Sequence, residues 1–349
     1  MSFEGFPLIV GWELTLRCNL RCNHCGSSAG SPRLNELTTE EALKLCDQFP
    51  ELLVQEVDLT GGEPLLRKDW AKIALHLRDL GIATNVLTNG LDLGLNTVSR
   101  MKDVGIACVG ISLDGLEETH DRIRGFPGSF ERVLKSIQMI LKTDMPLNVI
   151  TTVNSLNVHE LPDIFQLLRS LGIEYWRVQP LIPIGRVKTS GELKIGEEVI
   201  SELGNFILDW SHEAEKGSMQ IIRSDGLEYI GESGAQERPW RGCPAGWSAC
   251  GITSDGRVKG CLSMPDELYE GDLRKNDLWD IWFHPDSFSY TRSFSPDQLG
   301  QNCRSCDKAE DCRGGCSSSS YANTGIFHND PYCFYRISKD QEPFVARKV

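Results

Sequence analysis

The chain has 349 residues, 36 basic against 49 acidic, a net charge of −13 and 40% hydrophobic residues, room for about two domains of ordinary globular composition. The acidic balance argues against a nucleic-acid partner, which needs a basic footprint, and no apolar run reaches the ~18 residues of a membrane span. Residues 1–10 carry neither a basic stretch nor a small-residue cleavage site, so the expected setting is the reducing cytoplasm.

From Leu8 onward, β-rich runs alternate with amphipathic stretches. Strands are predicted at Leu8–Thr15, Glu56–Thr60, Ala83–Thr88, Ala107–Leu113, Asn148–Val153 and Tyr175–Leu181. Helices are predicted at Thr39–Phe49, Lys68–Leu80, Leu95–Val104, Phe130–Leu141 and Val158–Leu171. Thr38 and Thr39, followed by Glu40 and Glu41, mark the first helix start. This alternation implies βαβ units on a parallel sheet. Six units are too few for a closed eight-stranded barrel, so the expected fold class is α/β, a partial (β/α)6 TIM-like barrel. A further helix is predicted at Glu197–Glu215, and from about Ser233 the chain turns rich in Cys, Gly, Ser and Pro. That shift predicts a barrel over 1–232 and a small, Cys-rich, loop-rich α+β domain over 233–349.

Eleven of the thirteen cysteines are clustered; Cys46 and Cys108 stand alone and read as structural. Clustered thiols in a reducing compartment point to metal ligation. Cys18, Cys22 and Cys25 directly follow the first strand, where parallel α/β folds place their ligands. Three such thiolates can hold three irons of a [4Fe–4S] cubane and leave the fourth open to a small molecule. The alternative is a zinc site completed by His24, although adjacent His24 and Cys25 chelate one ion awkwardly. Later strands end at Thr60-Gly61-Gly62-Glu63-Pro64, Thr88-Asn89-Gly90 and Ser112-Leu113-Asp114-Gly115, with Arg124 twelve residues beyond Ser112.

This arrangement resembles the radical S-adenosylmethionine (radical SAM) superfamily. The resemblance implies that S-adenosyl-L-methionine chelates the open iron and is reductively cleaved to a 5′-deoxyadenosyl radical. It also implies that Gly61, Gly62, Glu63 and Pro64 contact the methionine amino group. Ser112 and Arg124 would meet its carboxylate, and Gln179 with the backbone near Val178 the adenine. His24, Asn89 and Asp114 belong to the same implied cosubstrate set.

The C-terminal third carries Cys243, Cys250 and Cys261, then Cys303-x2-Cys306-x5-Cys312-x3-Cys316 and Cys333. This pattern resembles the SPASM extension of peptide-modifying radical enzymes, although only five residues separate Cys250 from Gly256. The resemblance implies two auxiliary clusters. Cys243, Cys250, Cys261 and Cys316 would hold the first, and Cys303, Cys306, Cys312 and Cys333 the second. With the N-terminal triad that makes three [4Fe–4S] clusters; two structural zincs are the alternative for the eight C-terminal ligands.

Relatives that oxidise a sulfatase side chain carry an acid after the cysteine matching Cys261, where this chain has Leu262. A peptide epimerase needs a spare thiol, and neither Cys46 nor Cys108 is well placed to serve. The expected function is therefore an oxidoreductase maturing a ribosomally made precursor peptide by a thioether or carbon–carbon cross-link. Dehydrogenation of a small alcohol or sugar, or peptide epimerisation, is the alternative. Only 17 residues precede Cys18, which argues against a separate peptide-recognition domain and weighs towards a small-molecule substrate. A non-catalytic metal-binding module belongs to another class; it would have no use for Gly61–Pro64, Ser112 and Arg124. The expected electron donor is a flavodoxin or ferredoxin.

Overall fold

The computed structural model describes residues 5–224, 226–227 and 242–340. Seven parallel strands form its spine: β1 (Ile9–Thr15), β2 (Glu56–Gly61), β3 (Ala83–Thr88), β4 (Cys108–Ser112), β5 (Leu147–Val153), β6 (Tyr175–Pro180) and β7 (Gln220–Arg223). The helices between them are α1 (Thr39–Cys46), α2 (Trp70–Asp79), α3 (Leu95–Asp103), α4 (Glu117–Arg124), α5 (Ser129–Ile140), α6 (Leu161–Ser170), α7 (Val187–Ser190) and α8 (Glu197–Lys216).

Strand parity explains the layering. Val10, Trp12 and Leu14 of β1 are fully buried against the helices, and Trp12 meets Phe49 edge-on at 6.3 Å. Each such side chain contributes roughly 1.5–3 kcal/mol of burial. The alternate residues Gly11 and Glu13 face the inside of the curved sheet. α1 begins where its residues dictate: Thr38 and Glu41 form a reciprocal capping box. The stretch predicted as one helix from Val158 splits into a 3₁₀ turn, Val158–Glu160, and α6, because Pro162 is tolerated only in a helix's first turn.

The expected partial barrel is present, with β7 as a seventh parallel strand that the sequence reading lacked. The Cys-rich segment adds β8 (Ala249–Ile252), β9 (Arg257–Lys259) and β10 (Gly271–Asp272). These extend the same open sheet, in the order β10-β9-β8-β1-β2-β3-β4-β5-β6-β7. β8 runs parallel to β1, and β9 turns back antiparallel. The predicted boundary at 232/233 lies outside the described residues. Short helices follow, α9 (Leu278–Trp282), α10 (Ser289–Arg292), α11 (Ala309–Cys312), α12 (Ser317–Thr324) and α13 (Phe334–Asp340). Among the described residues no helix is long and apolar enough to cross a membrane.

Candidate functional site

The loop after β1 gathers Cys18, Cys22 and Cys25 into one small cluster with Leu20, Leu91 and Phe126. Each thiol has a donor aimed at it. Cys18 Sγ accepts from Leu20 N at 3.4 Å and Asn89 Nδ2 at 3.8 Å. Cys22 Sγ accepts from Arg124 Nη1 at 3.8 Å, and Cys25 Sγ from Ala29 N at 3.3 Å. Burial pushes the Cys18 thiol up to about 11, so a metal cation is what would ionise it at neutral pH. No metal or cosubstrate is part of the structure, and the donor set is that of a three-thiolate site.

The Gly-Gly turn after β2 is pressed against this loop. Gly61 sits at φ +128°, a conformation that favours glycine, and a Cβ on Gly62 would lie 2.2 Å from Arg17 O. Gly62 N and Glu63 N donate to Thr15 O and Arg17 O at 2.8 and 2.7 Å. Pro64 opens a 3₁₀ turn. Glu63 is buried, and its carboxylate accepts from Thr88 Oγ1 at 2.9 Å, Asn89 N at 2.9 Å and Leu65 N at 3.2 Å. Burial raises its carboxyl to about 7 against these donors. Glu63 thus splices the end of β3 to the turn after β2, a role the sequence reading did not give it.

Beyond β4, Asp114 is completely buried amid basic groups. Its Oδ2 lies 2.6 Å from Arg124 Nη2 and 3.2 Å from His24 Nε2, and its Oδ1 accepts from Thr152 N at 2.9 Å. Its backbone N donates to His120 Nδ1 at 3.1 Å. Burial opposes the charge on Asp114, but the Arg124 guanidinium, helped by the Thr152 N–H, outweighs it and holds the carboxyl below its usual range. Burial pulls His24 and His120 down to about 4, leaving both neutral. The Arg124 fork is therefore turned towards Asp114 and Cys22. Its Nε, together with His24 Nδ1, remains buried without a hydrogen-bond partner among the described residues. The Ser112 hydroxyl at the end of β4 is half-buried. Gln179 donates to Thr152 Oγ1 at 3.2 Å, whereas the Val178 side chain is in the core, which leaves its backbone for any ligand.

Arg186 escaped the sequence reading. Its guanidinium donates to Cys22 O and Ala29 O, both at 2.6 Å, and its N to Cys25 O at 3.0 Å. Gly185, at φ +60°, packs on Gly26 O. The loop after β6 so clamps the cysteine loop. No motif marks Arg186, because its partners are backbone carbonyls.

Cys303, Cys306, Cys312 and Cys333 line one cavity, the four that the resemblance assigns to the second auxiliary cluster. Burial pushes Cys303 and Cys333 up to about 12. Gly251, beside Cys250, packs on the backbone of Cys261, and Gly260, just before Cys261, packs on the Tyr290 hydroxyl and on Ala245, two residues after Cys243. Cys316 opens α12, and its N–H bonds the buried carboxylate of Asp330, a residue of the cavity wall. Of the two solitary thiols, Cys46 is fully buried in the core. Cys108 begins β4, at the opposite end from Ser112. Leu262 lies against β1, 3.4 Å from where a Gly11 Cβ would be.

A second acidic group near this face also went unread. Glu13 is buried and pairs with Arg33 at 2.7 and 3.1 Å, while Ser254 N and Oγ donate to it. Arg33 reaches on to Asp266 at 2.9 Å, which pairs with Lys259 at 3.1 Å.

A family model described as the radical SAM superfamily matches residues 12–168, and one described as the SPASM iron-sulfur cluster-binding domain matches residues 243–307. The chain is 33% identical to the AdoMet-dependent heme synthase of Methanosarcina barkeri, over 97% of this chain and 99% of that one. It is 29% identical to the PqqA peptide cyclase of Bradyrhizobium diazoefficiens, over 94% of this chain and 86% of that one. In fold it is similar to Streptococcus suis SuiB bound to S-adenosylmethionine, with TM-score 0.77 and 18% identity, over 94% of this chain and 77% of that one.

Proposed function

Because the chain belongs to the radical SAM superfamily and carries a SPASM iron–sulfur domain, we propose that it oxidises an iron porphyrin with S-adenosyl-L-methionine. The family implies [4Fe–4S] clusters and that cosubstrate. When bound and reduced, they supply a 5′-deoxyadenosyl radical that removes a hydrogen atom from carbon. In this reading Cys18, Cys22 and Cys25 hold the first cluster, and the two C-terminal sets hold one each. Gly61 and Gly62 keep the turn after β2 close to the cysteine loop. Ser112 and the Nε of Arg124 orient the methionine carboxylate, while Gln179 and the Val178 backbone border the adenine. His24 stays neutral and fixes Asp114. A flavodoxin or ferredoxin supplies the electron.

The substrate class rests on the 33% identity to a heme synthase along the whole chain. The chemistry beside Cys261 agrees with it. A porphyrin propionate that gives a hydrogen atom to the 5′-deoxyadenosyl radical, releases carbon dioxide and passes one electron to an oxidised electron carrier becomes a vinyl group, with no proton left to remove. Leu262, where a proton acceptor would otherwise stand, suits that outcome. The cross-linking of a peptide is the second reading, supported by the identity to PqqA peptide cyclase.

The test is anaerobic incubation of the reconstituted protein with S-adenosyl-L-methionine, a reductant and iron coproporphyrin III. Heme and 5′-deoxyadenosine are the expected products. An unchanged porphyrin, with a candidate peptide that becomes two hydrogens lighter, would replace the first reading by the second.

A further inference from the structure

Tyr290 stands on α10 with its hydroxyl buried and, among the described residues, without a hydrogen-bond partner. Its ring stacks on Phe327 at 4.6 Å and 13°, and Phe327 stacks on Tyr321 at 4.9 Å. The aromatic row fixes the ring, so the hydroxyl cannot swing out to water. Its position is defined by Gly260, where a Cβ would lie 2.1 Å from Tyr290 Oη and 3.1 Å from the Ala245 side chain. Gly260 immediately precedes Cys261, and Ala245 follows Cys243 by two residues. Burial disfavours ionisation of this hydroxyl, and Glu270, Cys243, Cys261 and Cys250 are near enough to add to that effect. Glu270 nevertheless accepts no hydrogen bond from it. Burying a hydroxyl with no acceptor is destabilising, and native proteins rarely leave one so.

We propose that Tyr290 Oη donates a hydrogen bond to the iron–sulfur group held by Cys243, Cys250 and Cys261 and raises its reduction potential. The inference rests on the proposed assignment of that cysteine set to a cluster. A donor aimed at cluster sulfur stabilises the reduced, more negative state, and such bonds are among the levers that set cluster potentials. Tyr290 is thus a positioning and tuning residue.

The test compares reconstituted full-length protein with Tyr290→Phe, which keeps the ring and its stack, and with Tyr321→Phe from the same aromatic row. Iron content and an EPR-monitored redox titration are read for each. Tyr290→Phe should keep its iron, shift one auxiliary midpoint to more negative potential and change that cluster's EPR line shape; Tyr321→Phe should do neither. Unchanged potentials and line shapes in Tyr290→Phe would overturn the proposal. Loss of the iron would overturn it too, since Tyr290 would then build the site rather than tune it. If the wild type holds iron at the N-terminal triad alone, the cluster assignment itself falls, and the proposal with it.

Discussion

Asp114 keeps its charge in a fully buried position because the Arg124 guanidinium pairs with it. Removing one partner of a buried pair leaves an uncompensated charge, at about 3–5 kcal/mol. Arg124→Ala should therefore destabilise the apo-protein by about that much in urea unfolding, and adding Asp114→Asn should restore a large part. Strict additivity of the two substitutions would show that the pair is not coupled. His120 supplies a pH signature. Burial holds its imidazole near 4 in the fold, while the unfolded chain takes up a proton near 6.5. Its contribution is thus present above about 6.5 and is lost as pH falls towards about 4. Glu63, raised to about 7, acts with the opposite sign, penalising the fold as pH rises from the ordinary carboxylate range. The comparison that isolates the histidine is wild type against His120→Asn. The wild-type advantage should shrink by up to about 3 kcal/mol between pH 7 and 4. A constant difference across that range would mean that His120 is not buried neutral. The Ser112/Asp114/Arg124 spacing was legible in the sequence. What Asp114 does was not, because its partners come from three separate segments.

Among the elements, α4 shows why part of the site was illegible. Its buried face is His120, Ile123 and Arg124, so a single apolar residue marks a helix whose inner stripe is otherwise polar. An apolar-periodicity reading finds no helix there. β7, four residues at the end of a long helix, carries too short a pattern to register. The glycine turn after β2 could be read as a motif, yet its physical demand is clear only with the cysteine loop beside it. In Gly62→Ala the new Cβ would meet backbone at Arg17 O, 2.2 Å away. Since backbone cannot give way as a flexible side chain does, the cysteine loop must shift. The reconstituted variant should lose about four irons and keep its circular dichroism. Full iron content would contradict the placement of this turn. Arg186→Met removes two charge-assisted bonds to the loop, each worth ~1.5–3 kcal/mol. It should release the N-terminal iron to a chelator faster than wild type while the C-terminal iron stays. Equal release rates would show that the loop after β6 does not hold the cluster loop.

Across the whole molecule, one sheet runs from β10 through β7 and joins the Cys-rich segment to the barrel through the parallel pairing of β8 with β1. The buried Glu13–Arg33 pair, extended to Asp266 and Lys259, ties the same parts by charge. Neither link was legible in the sequence, since short strands and residues far apart in the chain leave no local signal. The clustering of the cysteines was legible because metal ligation imposes close spacing, and the cavity walled by Cys303, Cys306, Cys312 and Cys333 brings together the four that the family resemblance assigns to one cluster. The claim that organises the account is that Cys18, Cys22 and Cys25 hold the cluster at which S-adenosyl-L-methionine is cleaved. The most direct measurement pairs iron content with 5′-deoxyadenosine formation, for the anaerobically reconstituted wild type and for the variant with all three of these cysteines changed to alanine. The account predicts about twelve irons and cleavage in the wild type, against about eight irons and no cleavage in the variant. A wild type that binds zinc and no iron, or a variant that still forms 5′-deoxyadenosine, would contradict it.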